Sequence, residues 1–358
     1  AAARRRASAE TAAAATTFAS DATRPEPSQA ERMDALGTRR LYNEEHDLFR
    51  ENARRFFAER VVPFHDEWEK QGHISRECWR EAGEAGLLGV MMPESLGGAA
   101  ADVLYANIVW EEQAYANVSG PGFALHSEIV MPYLLHYGSE QLQQRLLPKM
   151  CSGELISAIA MSEPAAGSDL QGVKTTAIDD GAGHFVLNGS KTYITNGYHS
   201  DVVLVVAKTD PAAKGSRGIS LLVVERGMAG FEKGKTLNKM GMKAQDTSEL
   251  FFDNVKVPAE NLVGELNKGF AYLMTELPQE RLIIASMATA SAEAAFEMTR
   301  TYLKERKAFG GPLLAQPTIQ AKMAEMKTEI AVTRAFIDRC LEQHVLGRLD
   351  TATASMAK

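Results

Sequence analysis

From Asn43 onward, apolar residues recur at three- and four-residue spacing: Leu48, Phe49, Ala53, Phe56, Phe57 and Val61. That is the period of an amphipathic helix, and Pro63 predicts its end. Ser75 predicts the cap of a second helix closed by Gly83 and Gly86, and Leu104, Ile108 and Val109 belong to another. Ser139 caps one more, through Leu142, Leu146 and Leu147 to Pro148. Near Glu154 the pattern changes to short β-rich runs at 155–161, 184–187, 202–206, 219–224 and 250–257. Asp180-Gly181, Asn188-Gly189 and Lys214-Gly215 supply turn chemistry between them. From about Gly269 the helical period returns, with one long segment from Glu280 past Arg306 and another from about Thr318 to Leu346. Helices of that length suit a bundle. Strands confined to one block argue against a doubly wound sheet, which would interleave them with helices. The expected fold class is α+β: helical residues 39–154, a β domain over 155–268 and helical residues 269–358.

The ends sharpen this picture. Residues 1–20 hold Arg4, Arg5 and Arg6, ten alanines, five Ser/Thr and one acid, Glu10. An Arg-rich, acid-poor opening reads as an organelle transit peptide, and the polar residues to Thr38 prolong a leader with little to bury. At the other end the chain stops at Lys358 in a helical stretch with no capping signal, so the last bundle is expected to be partial. Composition then excludes several classes. Lys+Arg 39 against Asp+Glu 46 argues against nucleic acid as the main partner. No uncharged apolar run reaches the roughly 18 residues of a membrane-spanning helix. Cys78, Cys151 and Cys340 are scattered thiols without a CxxC, and the eight histidines show neither HxxxH nor HxH, so neither a disulfide framework nor a metal site is expected. Gly234-Lys235-Thr236 resembles the end of a phosphate loop, but Ala229 stands where that loop needs Gly. No GxGxxG or GxSxG occurs.

Four segments carry candidate chemistry. In 158–169 an apolar strand delivers the chain into Ser162-Glu163-Pro164-Ala165-Ala166-Gly167-Ser168, small residues whose amides and hydroxyls let a planar polar ligand approach the backbone. A tight surface loop would read the same. Tyr193, Ile194 and Thr195 end a strand with an aromatic ring and a hydroxyl suited to a flat cofactor, or simply to a half-buried strand. Glu280-Arg281 opens a stretch uncharged until Glu293. Its carboxylate suits either a helix start or a base held in an apolar pocket. Lys304 to Lys307 form a basic cluster that fits a solvated helix end or a pyrophosphate.

In this order and spacing the four segments resemble the acyl-CoA dehydrogenase family. So do 120–123 (GPGF), 239–247 (KMGMKAQDT) and 331–336 (AVTRAF), and the likeness covers nearly all of residues 40–358. The resemblance implies an N-terminal helical domain, a central β-barrel-like domain and a C-terminal helical bundle. It also implies FAD, electron-transfer flavoprotein as acceptor, a homotetramer and the mitochondrial matrix. Carried over residue by residue, Ile159, Ala160, Met161, Ser162, Glu163, Pro164, Ala165, Ala166, Gly167 and Ser168 would hold the flavin, with Tyr193, Ile194 and Thr195 against its other side. Arg306 and Phe309 would reach the FAD of a neighbouring subunit. Tyr272, Pro278, Gln279, Arg281 and Ser168 would contact the substrate. A kink at Pro278 would place Tyr272 and Leu273 on the wall of the acyl tunnel, whereas Pro278 at the first position of a helix would be a start signal and nothing more. Glu280 would be the catalytic base, and a Glu at this position is what the long-chain and isovaleryl branches carry, so a long-chain acyl-CoA substrate is implied. Ala165 stands where relatives commonly have Gly, and Pro317 where many have Gln, with Gln316 alongside. Two alternatives share these features: an acyl-CoA oxidase, which passes electrons to oxygen, and a non-catalytic helical scaffold.

Overall fold

The computed structural model describes residues 32–33 and 39–358, so the expected leader lies, but for Arg32 and Met33, outside the described residues. Element order is α, then β, then α. Helix α1 (Glu44–Phe56) is capped by Asn43, whose side chain accepts from the His46 N–H. It does not stop at Pro63. A π-helical turn (Phe57–Val61) leads into α2 (Val62–Gln71), and Pro63 sits in that helix's first turn, where its missing N–H costs nothing. The expected stop is a restart. Ser75 caps α3 (Arg76–Glu84) and Ser139 caps α6 (Glu140–Cys151), both as expected. Between them lie α4 (Val103–Tyr115), a second π-helical turn (Leu125–Val130) and α5 (Met131–Tyr137).

The chain divides into two compact units. One holds the described residues up to Phe57, Asp102–Val118 and Pro278–Lys358. Within it, α4 is buried from Val103 to Ala114 except at the half-buried Tyr105, so Glu111 and Glu112 are buried with it. Buried charges persist only when paired. Glu111 accepts from Arg39 at 2.7 Å and Arg334 at 2.8 Å, and lies 2.9 Å from Arg50. Arg39 also reaches Asp338, and Arg334 also reaches Glu293. Burial alone would raise the Glu111 carboxyl, but the guanidinium groups of Arg39, Arg334 and Arg50 hold it well below the usual carboxylate range. Arg334 and Asp338 come from α8 (Pro317–Val345), which is followed by α9 (Thr351–Ala357). Extrapolated from the sequence, α8 should expose Ile319, Met323, Met326, Ile330, Phe336 and Ile337. Only Met326 and Phe336 are exposed; Met323 and Ile337 are buried, and Ile319 and Ile330 pack against a core of Met33, Phe296, Leu303 and Met323.

The second unit, Ala58–Ala101 and Ser119–Leu277, contains the sheet. Its strands are β1 (Ser157–Ala160), β2 (Thr176–Asp179), β3 (His184–Thr195), β4 (Val202–Lys208), β5 (Ile219–Glu225), β6 (Phe231–Thr236), β7 (Thr247–Pro258) and β8 (Leu262–Val263). They pair in the order β6-β7-β3-β2-β4-β5-β8, with β1 parallel to β4. Alternation along β4 builds two cores at once. Val202, Leu204 and Val206 join Leu134, Leu142, Leu146 and Leu147 of the helices, while Val203, Val205 and Ala207 join a core drawn from the strands themselves. Asn188-Gly189 is not a hairpin turn. It lies inside β3 at a register shift against β7, and a Cβ on Gly189 would meet Thr175 Oγ1 at 2.5 Å. Gly234-Lys235-Thr236 lies on β6, away from any strand-to-helix turn.

Helix α7 (Gly269–Glu305) starts eleven residues before Glu280 and runs through Pro278, which is therefore inside a helix and not at its first position. A two-strand hairpin, β9 (Lys307–Ala308) with β10 (Gly311–Pro312), follows it. Among the described residues no helix is long and apolar enough to cross a membrane.

Candidate active site

In the sheet-containing unit, β1 leads directly into the small-residue loop. Glu163 and Ala166 bond to each other in both directions, N–H to carbonyl at 2.8 and 3.1 Å, which folds Pro164-Ala165 into a tight turn. Pro164, Ala165, Gly167 and Ser168 are exposed, Met161 and Ser162 half-buried, and Ile159, Ala160 and Ala166 buried. The Thr192 N–H donates to the Ser162 carbonyl at 3.0 Å, tying the loop to β3. The Glu163 side chain turns inward instead of outward. Its carboxylate accepts from Lys191 Nζ at 2.8 Å and from the N–H groups of Lys174 and Thr175 at 2.5 and 3.0 Å. Lys191 also donates to the Met161 carbonyl at 3.0 Å. Burial pulls the Glu163 carboxyl upward, but the Lys191 ammonium and these hydrogen bonds outweigh it and hold the group below its ordinary value. The carboxylate is thus an internal clamp, and what Glu163 offers a ligand is its backbone.

Two residues beyond Lys191, Tyr193 adopts φ +60° and is 71% exposed. A second register shift between β3 and β7 falls there, between Lys191 and Ile194. Bulges re-aim side chains, and a left-handed non-glycine residue stores strain that persists only where the surroundings enforce it. Ile194 is buried and Thr195 half-buried. An exposed aromatic ring, hydroxyls and a small-residue loop on one unit fit a planar, heteroatom-rich ring of the flavin type.

Glu280 and Arg281 belong to the other unit. Both are half-buried on α7, and the Arg281 Nη1 atom is buried without a hydrogen-bond partner. An orphaned guanidinium nitrogen suits a polar or anionic ligand group. Gln279 Oε1 meets His344 Nε2 of α8 at 3.0 Å, so that amide is already engaged within the protein. On the sheet-containing side, Tyr272 stacks on Tyr137 at 4.0 Å, and its hydroxyl accepts from the Glu265 N–H at 3.0 Å. Leu273, expected on a tunnel wall, is instead fully buried in the core between helices and sheet.

Three family models match in succession: "Acyl-CoA dehydrogenase, N-terminal domain" over residues 43–154, the middle domain over 158–255 and the C-terminal domain over 267–358. The chain belongs to the acyl-CoA dehydrogenase family. It is 56% identical over 94% of its length to the long-chain specific mitochondrial acyl-CoA dehydrogenase of Sus scrofa, covering 78% of that protein. Against isovaleryl-CoA dehydrogenase of Pongo abelii it is 39% identical over 82% of its length, covering 70% of that protein. The crystal structure of an acyl-CoA dehydrogenase from Geobacillus kaustophilus matches with TM-score 0.87 and 48% identity, over 89% of this chain and 84% of that one. A glutaryl-CoA dehydrogenase from Mycobacterium smegmatis in complex with FADH2 matches with TM-score 0.83 and 26% identity, over 90% of this chain and 81% of that one.

Within this acyl-CoA dehydrogenase, the motif at 120–123 packs against the one at 239–247: a Cβ on Gly120 would stand 2.9 Å from that of Ala244. Arg306 directly precedes the β9–β10 hairpin and Phe309 sits at its tip, where Phe309-Gly310 takes φ +53° and +80°. Phe309 is 91% exposed. Sequence reasoning did not single out Lys191 as the partner of Glu163. The only signal was a lysine in an apolar-alternating strand, a position that needs a buried anion to be tolerated.

Proposed function

We propose that this acyl-CoA dehydrogenase converts long-chain acyl-CoA to trans-2-enoyl-CoA in mitochondrial β-oxidation, with FAD as cofactor and electron-transfer flavoprotein as acceptor. The single observation that carries the reading is the Glu280-Arg281 pair on α7, with its orphaned Arg281 Nη1, in a chain 56% identical to a long-chain enzyme. Glu280 takes the α-proton of the thioester onto its carboxylate. The electron pair left behind becomes the new α,β double bond as hydride departs from the β-carbon. Bound against the 159–168 loop and Tyr193, FAD would supply the acceptor for that hydride. Ile159 to Ser168 and Tyr193, Ile194 and Thr195 orient the ring and keep water from its faces, and the Glu163–Lys191 clamp fixes the loop that does so. Arg281 holds the substrate's polar portion, and Ser168, Tyr272, Pro278 and Gln279 shape its surroundings. Negative charge gathers on the thioester oxygen as the proton leaves, and one well-placed donor there is worth about 3 kcal/mol.

The exposed Arg306 and Phe309 support a homotetramer in which each hairpin reaches a neighbour's cofactor, and the working compartment we propose is the mitochondrial matrix. Residues 39–154, 155–268 and 269–358 serve as its three domains, behind a leader over 1–38. The test is product formation: the purified protein, given palmitoyl-CoA and electron-transfer flavoprotein, should yield a product two mass units lighter with the trans-2 double bond. Absence of that product from a folded, FAD-loaded protein would overturn the reading.

A further inference from the structure

The π-helical turn Leu125–Val130 directs three consecutive polar residues, His126, Ser127 and Glu128, into the interior of the sheet-containing unit. Such turns interrupt a helix at a cost and gather at functional positions. His126 is completely buried, edge-on to the Trp79 ring at 5.2 Å. Its Nδ1 accepts from the Ser157 N–H at 3.0 Å and lies 2.8 Å from Ser157 Oγ. A nitrogen that accepts from a backbone N–H carries no proton, so Nε2 bears the hydrogen and donates to the Met150 carbonyl at 3.0 Å. The ring is therefore neutral and confined to one tautomer. Burial supports this by pushing its pKa down to about 4.

Ser157 opens β1, the strand that feeds the loop 159–168. The Ser157 carbonyl accepts from Asn196 Nδ2 at 3.1 Å, and Asn196 directly follows Thr195. The same Asn196 amide donates to the Gly122 carbonyl at 3.2 Å, and that carbonyl also accepts from the His126 N–H at 3.2 Å. The bonds close into a ring: His126 to Ser157 to Asn196 to Gly122 and back to His126. Asn196 holds φ +62° in it, and Gly122 must lack a side chain, since a Cβ would lie 2.0 Å from Asn196 Oδ1. The two segments assigned to the flavin leave from adjacent members of this ring.

We infer that His126, as a neutral acceptor at Nδ1, is a positioning residue that sets the spacing between the loop 159–168 and Tyr193-Thr195, and so the affinity for the flavin. The inference rests on the flavin reading of those segments. It touches no reacting atom; it acts through Ser157 and Asn196.

Two isosteric variants separate its two nitrogens. His126→Asn keeps an acceptor near the Nδ1 position, whereas His126→Gln keeps a polar group near Nε2 and loses the bond to Ser157. FAD binding to apoprotein is measured by flavin fluorescence quenching, with circular dichroism confirming that each variant is folded. His126→Gln should weaken FAD roughly tenfold, the scale of one buried hydrogen bond left unmade, while His126→Asn stays within about threefold of the parent. Equal weakening by both variants, or no weakening by His126→Gln, would overturn the inference while leaving the flavin reading intact. A folded parent protein that binds no FAD would overturn the flavin reading and the inference with it. If His126→Gln does not fold, Asn196→Ala carries the test: it removes the Ser157-to-Gly122 bridge and should weaken FAD to the same degree, and unchanged affinity would refute the ring's role.

Discussion

Replacing Lys191 with Met removes the cation from the clamp under the 159–168 loop and keeps the length of its side chain. In the parent protein the Lys191 side chain has no solvent exposure and that of Glu163 has 3%. The ammonium makes two hydrogen bonds, to Glu163 Oε1 and the Met161 carbonyl. The substitution leaves a buried carboxylate supported only by the Lys174 and Thr175 N–H groups, and a carbonyl without its donor. Breaking a buried pair from one side costs about 3–5 kcal/mol. The two remaining backbone donors place Lys191→Met at the lower end, about 3 kcal/mol. The sign with pH follows from Glu163. Its folded-state pKa lies below the unfolded value, so its contribution is present above the ordinary carboxylate pKa and is lost as pH falls through the folded one. The gap between parent and variant should therefore be widest near neutrality and shrink in acid. Urea unfolding followed by circular dichroism at pH 7 and pH 4 reads both quantities. The double variant Glu163→Gln/Lys191→Met should recover more than half of the loss, because no buried charge remains. A loss below about 1 kcal/mol at pH 7, the range of an exposed ion pair, would refute the clamp.

Three further outcomes follow from the same geometry. Glu111→Gln removes the anion shared by Arg39, Arg50 and Arg334 and should cost about 3–5 kcal/mol in denaturant unfolding; a loss under 1 kcal/mol would contradict the pairing. His126 is neutral when folded with a pKa of about 4 against an ordinary 6.5, so the unfolded chain binds the extra proton. Stability should then fall between about pH 6.5 and pH 4, and His126→Asn should flatten part of that slope. Pro278 withholds a hydrogen bond inside α7, so Pro278→Ala should straighten the helix and shift kcat/KM toward shorter acyl chains across a butyryl- to palmitoyl-CoA series; an unchanged profile would refute a role in shaping the pocket.

What the sequence made legible was whatever repeats with a period. Strands β4 and β5 read clearly because, up to their last residues Lys208 and Glu225, both faces are buried and every position is apolar or small, and Ser75 and Ser139 read as caps because the N-terminal amides of a helix need an acceptor. Strand β6 was not legible: its residues Phe231-Glu232-Lys233-Gly234-Lys235-Thr236 form a largely exposed edge with no apolar alternation. Pro63 misled because the same missing N–H ends one helix or begins another, and only the π-helical turn before it decides which. Asn188-Gly189 carries hairpin chemistry, yet pairing on both sides of it makes it a bulge. Tyr193 was visible as an aromatic ring, but its left-handed backbone depends on the register of β3 against β7. The Glu163–Lys191 clamp and the His126 ring join residues far apart in sequence through single contacts, and such contacts leave no periodic trace.

The most direct test of Glu280 as the base of a flavin-dependent acyl-CoA dehydrogenase is anaerobic mixing with palmitoyl-CoA, followed at the flavin absorbance. The parent protein should bleach rapidly, and Glu280→Gln, with FAD and palmitoyl-CoA still bound, should bleach roughly 10²–10⁴-fold more slowly. Bleaching of the Gln variant at the parent's rate would contradict the assignment.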